Sequence, residues 1–413
     1  MSTTTDAERA AMERNLRILP WWWVARWIWL GEAIWVIYLI RERGLTLGEV
    51  IVFDAAFSAI ALTAELPTGI VADRYGRRIS LFLASAITAV AFLSLGLATT
   101  IPVLLASYIL FALADAFMSG ADNALLFDTL QRLGRGDEFT RRLGRMGGIQ
   151  TAAIAVFTVI GGLMIRWTPL GWPIVLSGFL SIPGAFLALT LKEPPHVGDR
   201  LSFLGTGAAA ARRVIRTPSM RSMILLTTFS VIPIVVMSIL LQPIVVDYGV
   251  PLWTLGLFSG VQMAVSAGGA LSASTIGRRL GLRRMMQTMA MLAALSLFGG
   301  ASGVIWLFPV FILPALAFSV IHPHFADYIS RRSPARERAT TLSLGTLTER
   351  LAMIPATLLL AVAVDRWGLH AALALAAGVL SVLVVAAYLE WVRSGDTEIE
   401  PAERPSEGQA PEA

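Results

Sequence analysis

Residues 65–78 read ELPTGIVADRYGRR. A long apolar run, interrupted by the acidic Glu65, ends in one acid, Asp73, and three arginines, Arg74, Arg77 and Arg78. Gly69 and Gly76 bracket the cluster. The C-terminus of a helix favours cations, so the arginines suit the end of an apolar helix. Asp73 does not suit it unless it has a partner. The rest of the chain decides what kind of helix this is.

The surrounding chain is too apolar for a soluble protein. Of its 413 residues, 56% are hydrophobic and 15% charged, against about half and a quarter in soluble domains. Mean hydropathy is +0.69. Twelve stretches approach the ~20 apolar residues needed to cross a bilayer: 21–40, 50–72, 80–99, 103–127, 146–165, 171–191, 222–246, 253–276, 286–304, 306–329, 343–364 and 370–392. The run WWWVARWIWLGEAIWVIYLI at 21–40 has no small-residue cleavage site and reads as a first span. The tryptophans Trp21, Trp22, Trp23, Trp27 and Trp29 read as an interfacial belt, and Trp35 as an aromatic candidate deeper in.

The basic residues orient these spans. With the N-terminus inside, inner segments hold 27 of the 33 Lys and Arg, and outer loops hold only Arg41, Arg43, Arg166 and Arg366. This asymmetry predicts a multi-pass protein of the cell (inner) membrane with both termini cytoplasmic. It also accounts for the pI near 10 without nucleic acid as a partner. With no cysteine in the chain, disulfides, thiolate nucleophiles and Cys-held metals are excluded.

The chain repeats itself. Shifted by 205 residues, 44–78 lies on 249–283: Gly44 meets Gly249, Leu66 meets Leu271, Arg74 meets Arg279 and Gly76 meets Gly281. A constant offset predicts a duplicated six-helix unit, one of the recurring transporter designs. The expected fold is all-α and polytopic, twelve transmembrane helices in two pseudo-symmetric six-helix bundles. Its expected parts are a cytoplasmic tail at 1–20, a bundle at 21–192, a linker at 193–219 carrying a surface amphipathic helix, a second bundle at 220–393, and a disordered acidic tail at 394–413.

GIVADRYGRR, with its weaker echo STIGRRLGLRR at 274–284, resembles the loop signature between the second and third helices of the major facilitator superfamily of secondary transporters. The resemblance spans about 15–393. ELPTGIVADRYGRR and SGADNALLFDTL are similar to members labelled drug or metabolite exporters. The fourth-span neighbourhood ADAFMSG lacks the Arg of many proton-coupled members, and AVFTVIGG lacks the Pro of many antiporters. The resemblance implies that Asp73, Arg74, Gly76, Arg77 and Arg78 form an inner gate that clamps the halves together when the cavity faces outward. Asp128, at the inner end of the fourth span, is an expected partner for one arginine.

Charges inside spans are costly and face a cavity or each other. Glu32, Asp54, Asp115, Asp122 and Asn123 are therefore candidates for proton coupling or substrate binding. Seven residues separate Asp115 from Asp122, which places both on one face of a continuous helix. Arg26, Glu65, Glu349 and Arg350 lie at similar depth and predict, with Asp122, an inner polar layer. Glu32 and Asp115 have no evident basic partner in sequence and are the expected proton-coupling groups. His322 and His324 are two apart and point to nearly opposite sides of a helix, so no metal site is expected.

These readings predict a secondary active transporter of a small organic molecule, exporting it against protons by alternating access. The alternatives are a proton-coupled uptake symporter and a non-transporting membrane receptor. No phosphate loop or nucleophile constellation points to an enzyme, and no cofactor is expected. The expected partners are a small-molecule substrate, protons and the lipid bilayer, with the protein a monomer.

Overall fold

A computed structural model describes residues 6–194, 203–334 and 337–397. Among the described residues the secondary structure is entirely helical. The first half holds α1 (Asp6–Arg26), α2 (Trp35–Arg41), α3 (Leu47–Tyr75), α4 (Arg77–Leu97), α5 (Ile101–Met118), α6 (Ala121–Arg132), α7 (Phe139–Met164) and α8 (Gly171–Thr190). The short α9 (Phe203–Arg216) follows. The second half holds α10 (Pro218–Asp247), α11 (Leu255–Ala301), α12 (Leu313–Arg332), α13 (Arg338–Trp367) and α14 (Leu369–Arg393). The tenth expected span opens with 3-10 turns at Ile305–Ile312 before α12.

Among the described residues, ten helical stretches are long and apolar enough to cross a membrane. They differ from the twelve expected spans in two places. The eighth and ninth expected spans run together in α11, bent at Gly281. The first is not one helix: α1 begins in the expected tail, so the boundary at 20/21 falls inside it, and the chain then unwinds over residues 27–34 before α2. The fourth expected span is also divided, between α5 and α6 at Ser119 and Gly120.

The 205-residue repeat is visible in the backbone. Gly76 and Gly281 both take the left-handed side of φ at nearly the same angles (φ 95°, ψ 150° and φ 72°, ψ 156°). Gly44 and Gly249 match at φ 74° and 70°. Residues with a Cβ rarely adopt such angles, so each pair marks the same sharp turn at the same place in its half. Leu66 and Leu271, also one offset apart, are both strongly exposed, at 78% and 86%.

The loops rich in arginine, after α3, α6 and α12 and around Gly281, define a basic end. The two halves meet near the opposite end. A Cβ at Gly162 in α7 would lie 2.6 Å from the Cα of Gly256 in α11, a backbone approach that glycine permits. Gly48, in the first turn of α3, sits against the carboxylate of Asp365 in α13. The guanidinium of Arg166 stacks 5.1 Å from the Trp253 ring. Beyond α14, Asp396 accepts hydrogen bonds from Arg332 and Ser219, with Arg332 holding its carboxyl below the usual carboxylate range. The rest of the expected acidic tail, 398–413, lies outside the described residues.

Candidate functional site

The unwound stretch in the first span sets up the site. Breaking a helix in an apolar interior frees backbone groups that must find partners. Two neighbours supply them. Leu30 N–H donates to Ser177 Oγ in α8 at 2.9 Å. Gln242 of α10 accepts from Val36 N–H at 3.0 Å and Ile37 N–H at 3.3 Å, and its amide nitrogen donates to the Glu32 carbonyl at 2.9 Å. Gln242 thus caps α2 from the other half of the molecule, in the way a side-chain oxygen at an N-cap serves the first free N–H groups of a helix. Gly161 in α7 lets the Leu30 carbonyl approach so closely that a Cβ there would overlap it.

The unwinding turns Trp29, Glu32 and Trp35 toward a cavity of about 200 Å³. Asp54 and Phe57 from α3, Phe92 from α4, and Tyr108 and Phe111 from α5 complete its wall, with Ser238 reaching in from α10. The aromatic rings touch in series: Trp29 stacks on Phe92 at 4.3 Å, Phe92 meets Phe111 at 5.1 Å, and Phe111 meets Phe57 at 5.3 Å. Glu32 and Asp54 lie within electrostatic range of one another. Two carboxylates among six aromatic rings suit a cation with an apolar body, because ring faces attract positive charge and a carboxylate neutralises it.

Toward the basic end, Arg26 is 1% exposed and lies 5.7 Å from the Phe111 ring. Its Nε and Nη2 have no hydrogen-bond partner among the described residues. Asp115 and Asp122 are the carboxylates that act on it electrostatically, so Asp115 does have a basic neighbour, invisible from sequence distance. The argument that Asp115 and Asp122 share one helix face does not survive the break between α5 and α6. Gly120, at φ 78°, ends one helix and starts the next. The carbonyls freed there are met by Thr68 Oγ1, donating to Ala116 O at 3.0 Å, and Ser80 Oγ, donating to Phe117 O at 2.7 Å. Asp122 then occupies the first turn of α6, where a carboxylate complements the helix dipole, and Asn123 is exposed.

The expected polar layer separates into parts. Glu65 in α3 and Arg350 in α13 form an ion pair across the halves at 2.8 Å, with Ser119 Oγ 3.5 Å from Glu65. Arg26 belongs with Asp115 and Asp122. Glu349 is buried, and its Oε1 has no hydrogen-bond partner among the described residues. The tryptophan belt also divides. Trp21 is exposed, but Trp22 is fully buried and donates to Ser85 Oγ at 3.0 Å, and Trp29 lines the cavity. His322 packs between Phe318 and Phe325, while His324 turns to the Val320 carbonyl at 2.9 Å.

At the basic end, Arg77 pairs with Asp128 of α6. The residue missed in sequence is Glu193, just past α8. Its carboxylate accepts from Arg77 N–H at 3.0 Å and Arg78 N–H at 2.9 Å, capping α4 beside Gly76. All of these contacts stay within the first half. Arg74 is exposed and lies against Tyr75. The side chain of Asp73 lies outside what the structure describes.

The Major Facilitator Superfamily model matches residues 28–357. No curated protein matches the chain in sequence. Among solved structures, the nucleoside transporter NupG is similar with TM-score 0.75 and 14% identity, covering 92% of this chain and 99% of its own. A bacterial homologue of the human lysosomal transporter Spinster, in an inward-facing and occupied conformation, gives 0.70 at 16% identity over 94% and 97%. A D-xylose–proton symporter gives 0.67 at 14% identity over 96% and 100%. Identities this low show a shared fold.

Proposed function

The chain belongs to the Major Facilitator Superfamily, and on that premise we propose that it exports an amphiphilic organic cation in exchange for protons. One observation carries the reading: Glu32 and Asp54 face one cavity walled by Trp29, Trp35, Phe57, Phe92, Tyr108 and Phe111. A cation and a proton compete for the same carboxylates. Cation binding is strong only when a carboxylate is ionised, and protonation ejects the cation. Two species sharing one site that opens alternately to each side give obligatory exchange.

The arrangement of the halves supports this cycle. By the positive-inside rule the basic end faces the cytoplasm, so both termini lie there in a cell membrane. Gly48 against Asp365, Gly162 against Gly256, and Gln242 on α2 then close the outer side. The exposed Leu66 and Leu271 belong to inner surfaces that would meet when the cavity opens outward. In that state the loop after α3, anchored by Asp128 and Glu193, would face the second half and serve as the inner gate with Asp73 and its arginines. Glu65–Arg350 bridges the halves midway, and Arg26 with Asp115 and Asp122 lies along the proton route below the cavity.

Everted vesicles carrying the protein test the reading. A fluorescent lipophilic cation accumulates when a proton gradient, acid inside, is imposed. Glu32→Gln and Asp54→Asn are each expected to lower that accumulation at least tenfold. Arg212→Gln, exposed on α9 and lining neither cavity, leaves the gradient-driven flux unchanged. If Glu32→Gln and Asp54→Asn both keep full gradient-driven flux, the exchange mechanism is wrong. Flux in the opposite direction, cation moving with the proton, would make the protein an uptake symporter instead.

A further inference from the structure

A second cavity, of about 580 Å³, lies at the basic end between α1, α6 and α7 and is separate from the transport site. Arg17 of α1 and Arg141, Arg142 and Arg145 of α7 rim it, and Trp21 stands at its mouth. Leu16, Leu126 and Met146, each less than a tenth exposed, form its floor. The charge is poorly balanced. Glu138 is the acid that serves the rim, and it is shared among Arg135, Arg141 and Arg142 at 2.8, 3.4 and 2.8 Å. Hydrogen bonds from Arg135 and Arg142 hold its carboxyl at about 2, so it is ionised and fully committed. Neither Arg17 nor Arg145 takes part in an ion pair among the described residues.

We propose that this cavity holds the headgroup and first acyl carbons of an anionic phospholipid from the inner leaflet. The arginines meet the phosphate, a planar cation's preferred partner. The first turns of α7 add a favourable dipole. The apolar floor and the exposed Trp21, at the depth where tryptophans meet headgroups, have no use for a water-soluble anion. They fit a ligand that is charged at one end and apolar at the other. Basic pockets between membrane helices on the cytoplasmic side recognise such headgroups. Because α1 leads directly into the unwound first span, an occupied site would hold α1 against α6 and α7 in the first half.

The experiment uses the full chain, purified from mixed vesicles of phosphatidylglycerol and phosphatidylcholine, with retained lipid measured by mass spectrometry. Wild type is expected to enrich phosphatidylglycerol. The pair Arg17→Gln with Arg145→Gln should weaken that binding roughly thirtyfold, from the contribution of two basic groups near an anionic surface. The pair Arg17→Lys with Arg145→Lys, which keeps the charge, should retain the enrichment and so separates charge from packing. Trp21→Ser with Ile149→Ser should weaken lipid retention but leave any binding of glycerol phosphate untouched. Enrichment that survives the glutamine pair, or displacement of the lipid by equimolar glycerol phosphate, overturns the proposal.

Discussion

The first and seventh spans occupy equivalent places in the two halves but are built differently. The seventh, α10, is one helix of 30 residues although Pro233 and Pro243 lie inside it. The first contains no proline between Trp21 and Gly44, yet it unwinds over residues 27–34. Proline content therefore does not decide continuity here. What differs is the supply of outside partners. Ser177, Gln242 and the glycine at 161 take over the hydrogen bonds and space that the unwound segment needs. In exchange, Glu32 and two tryptophans reach the cavity. The continuous span contributes Gln242 as the cap and Ser238 as a single wall residue, so the first half lines most of the cavity and the second braces it.

The largest expected effect tests the space made for the break. Gly161→Leu would drive a side chain into the Leu30 carbonyl in a packed interior, where neither backbone can retreat. The expected outcome is loss of folded protein, seen as the disappearance of the monodisperse peak in size-exclusion chromatography. Gly148→Leu in the same helix is the matched control, since nothing lies within 4 Å of a Cβ there, and it should behave as wild type. Next in size is Gln242→Leu. It strands two buried N–H groups and the Glu32 carbonyl, each worth about 1–3 kcal/mol when left unmet. The melting temperature should fall clearly and cation affinity should fall with it, because Glu32 loses its fixed backbone. Unchanged melting would mean that the cap is idle and the break is held by other means.

Much of the frame was legible in the sequence because it depends on long, averaged signals. Apolar runs, the arginine asymmetry and the constant 205 offset each draw on many residues, and the offset resurfaced in the matched angles of Gly76 and Gly281. The pairing of an arginine after α3 with Asp128 was also readable, since both sit at the same end of neighbouring spans. The site was legible only in its ingredients. Glu32, Asp54, Asp115 and Asp122 stood out as charge inside spans, but the sequence gives no periodicity signal for a helix that stops within a span. The breaks at 27–34 and at Gly120 depend on hydroxyls and an amide from distant helices, namely Ser177, Gln242, Thr68 and Ser80. Glu193 was hidden for the same reason, as a residue in a connecting loop whose carboxylate caps a helix more than a hundred positions earlier.

The smallest effect probes the continuous span on its own terms. Thr228 of α10 is 1% exposed, and its hydroxyl has no hydrogen-bond partner among the described residues. A helix that satisfies its own backbone has no need of that oxygen, unlike Ser177, whose hydroxyl accepts from Leu30. Thr228→Val removes the polar atom at almost constant shape, so it should leave stability unchanged or raise it by about 1 kcal/mol. Ser177→Ala should instead cost about 1 kcal/mol or more, through the stranded Leu30 N–H. Thermal melts of the two variants side by side decide the matter. Opposite or clearly unequal shifts support a first span that borrows its hydrogen bonds and a seventh that does not. Equal losses would show that hydroxyls support both spans alike, and the contrast between them would then need another cause.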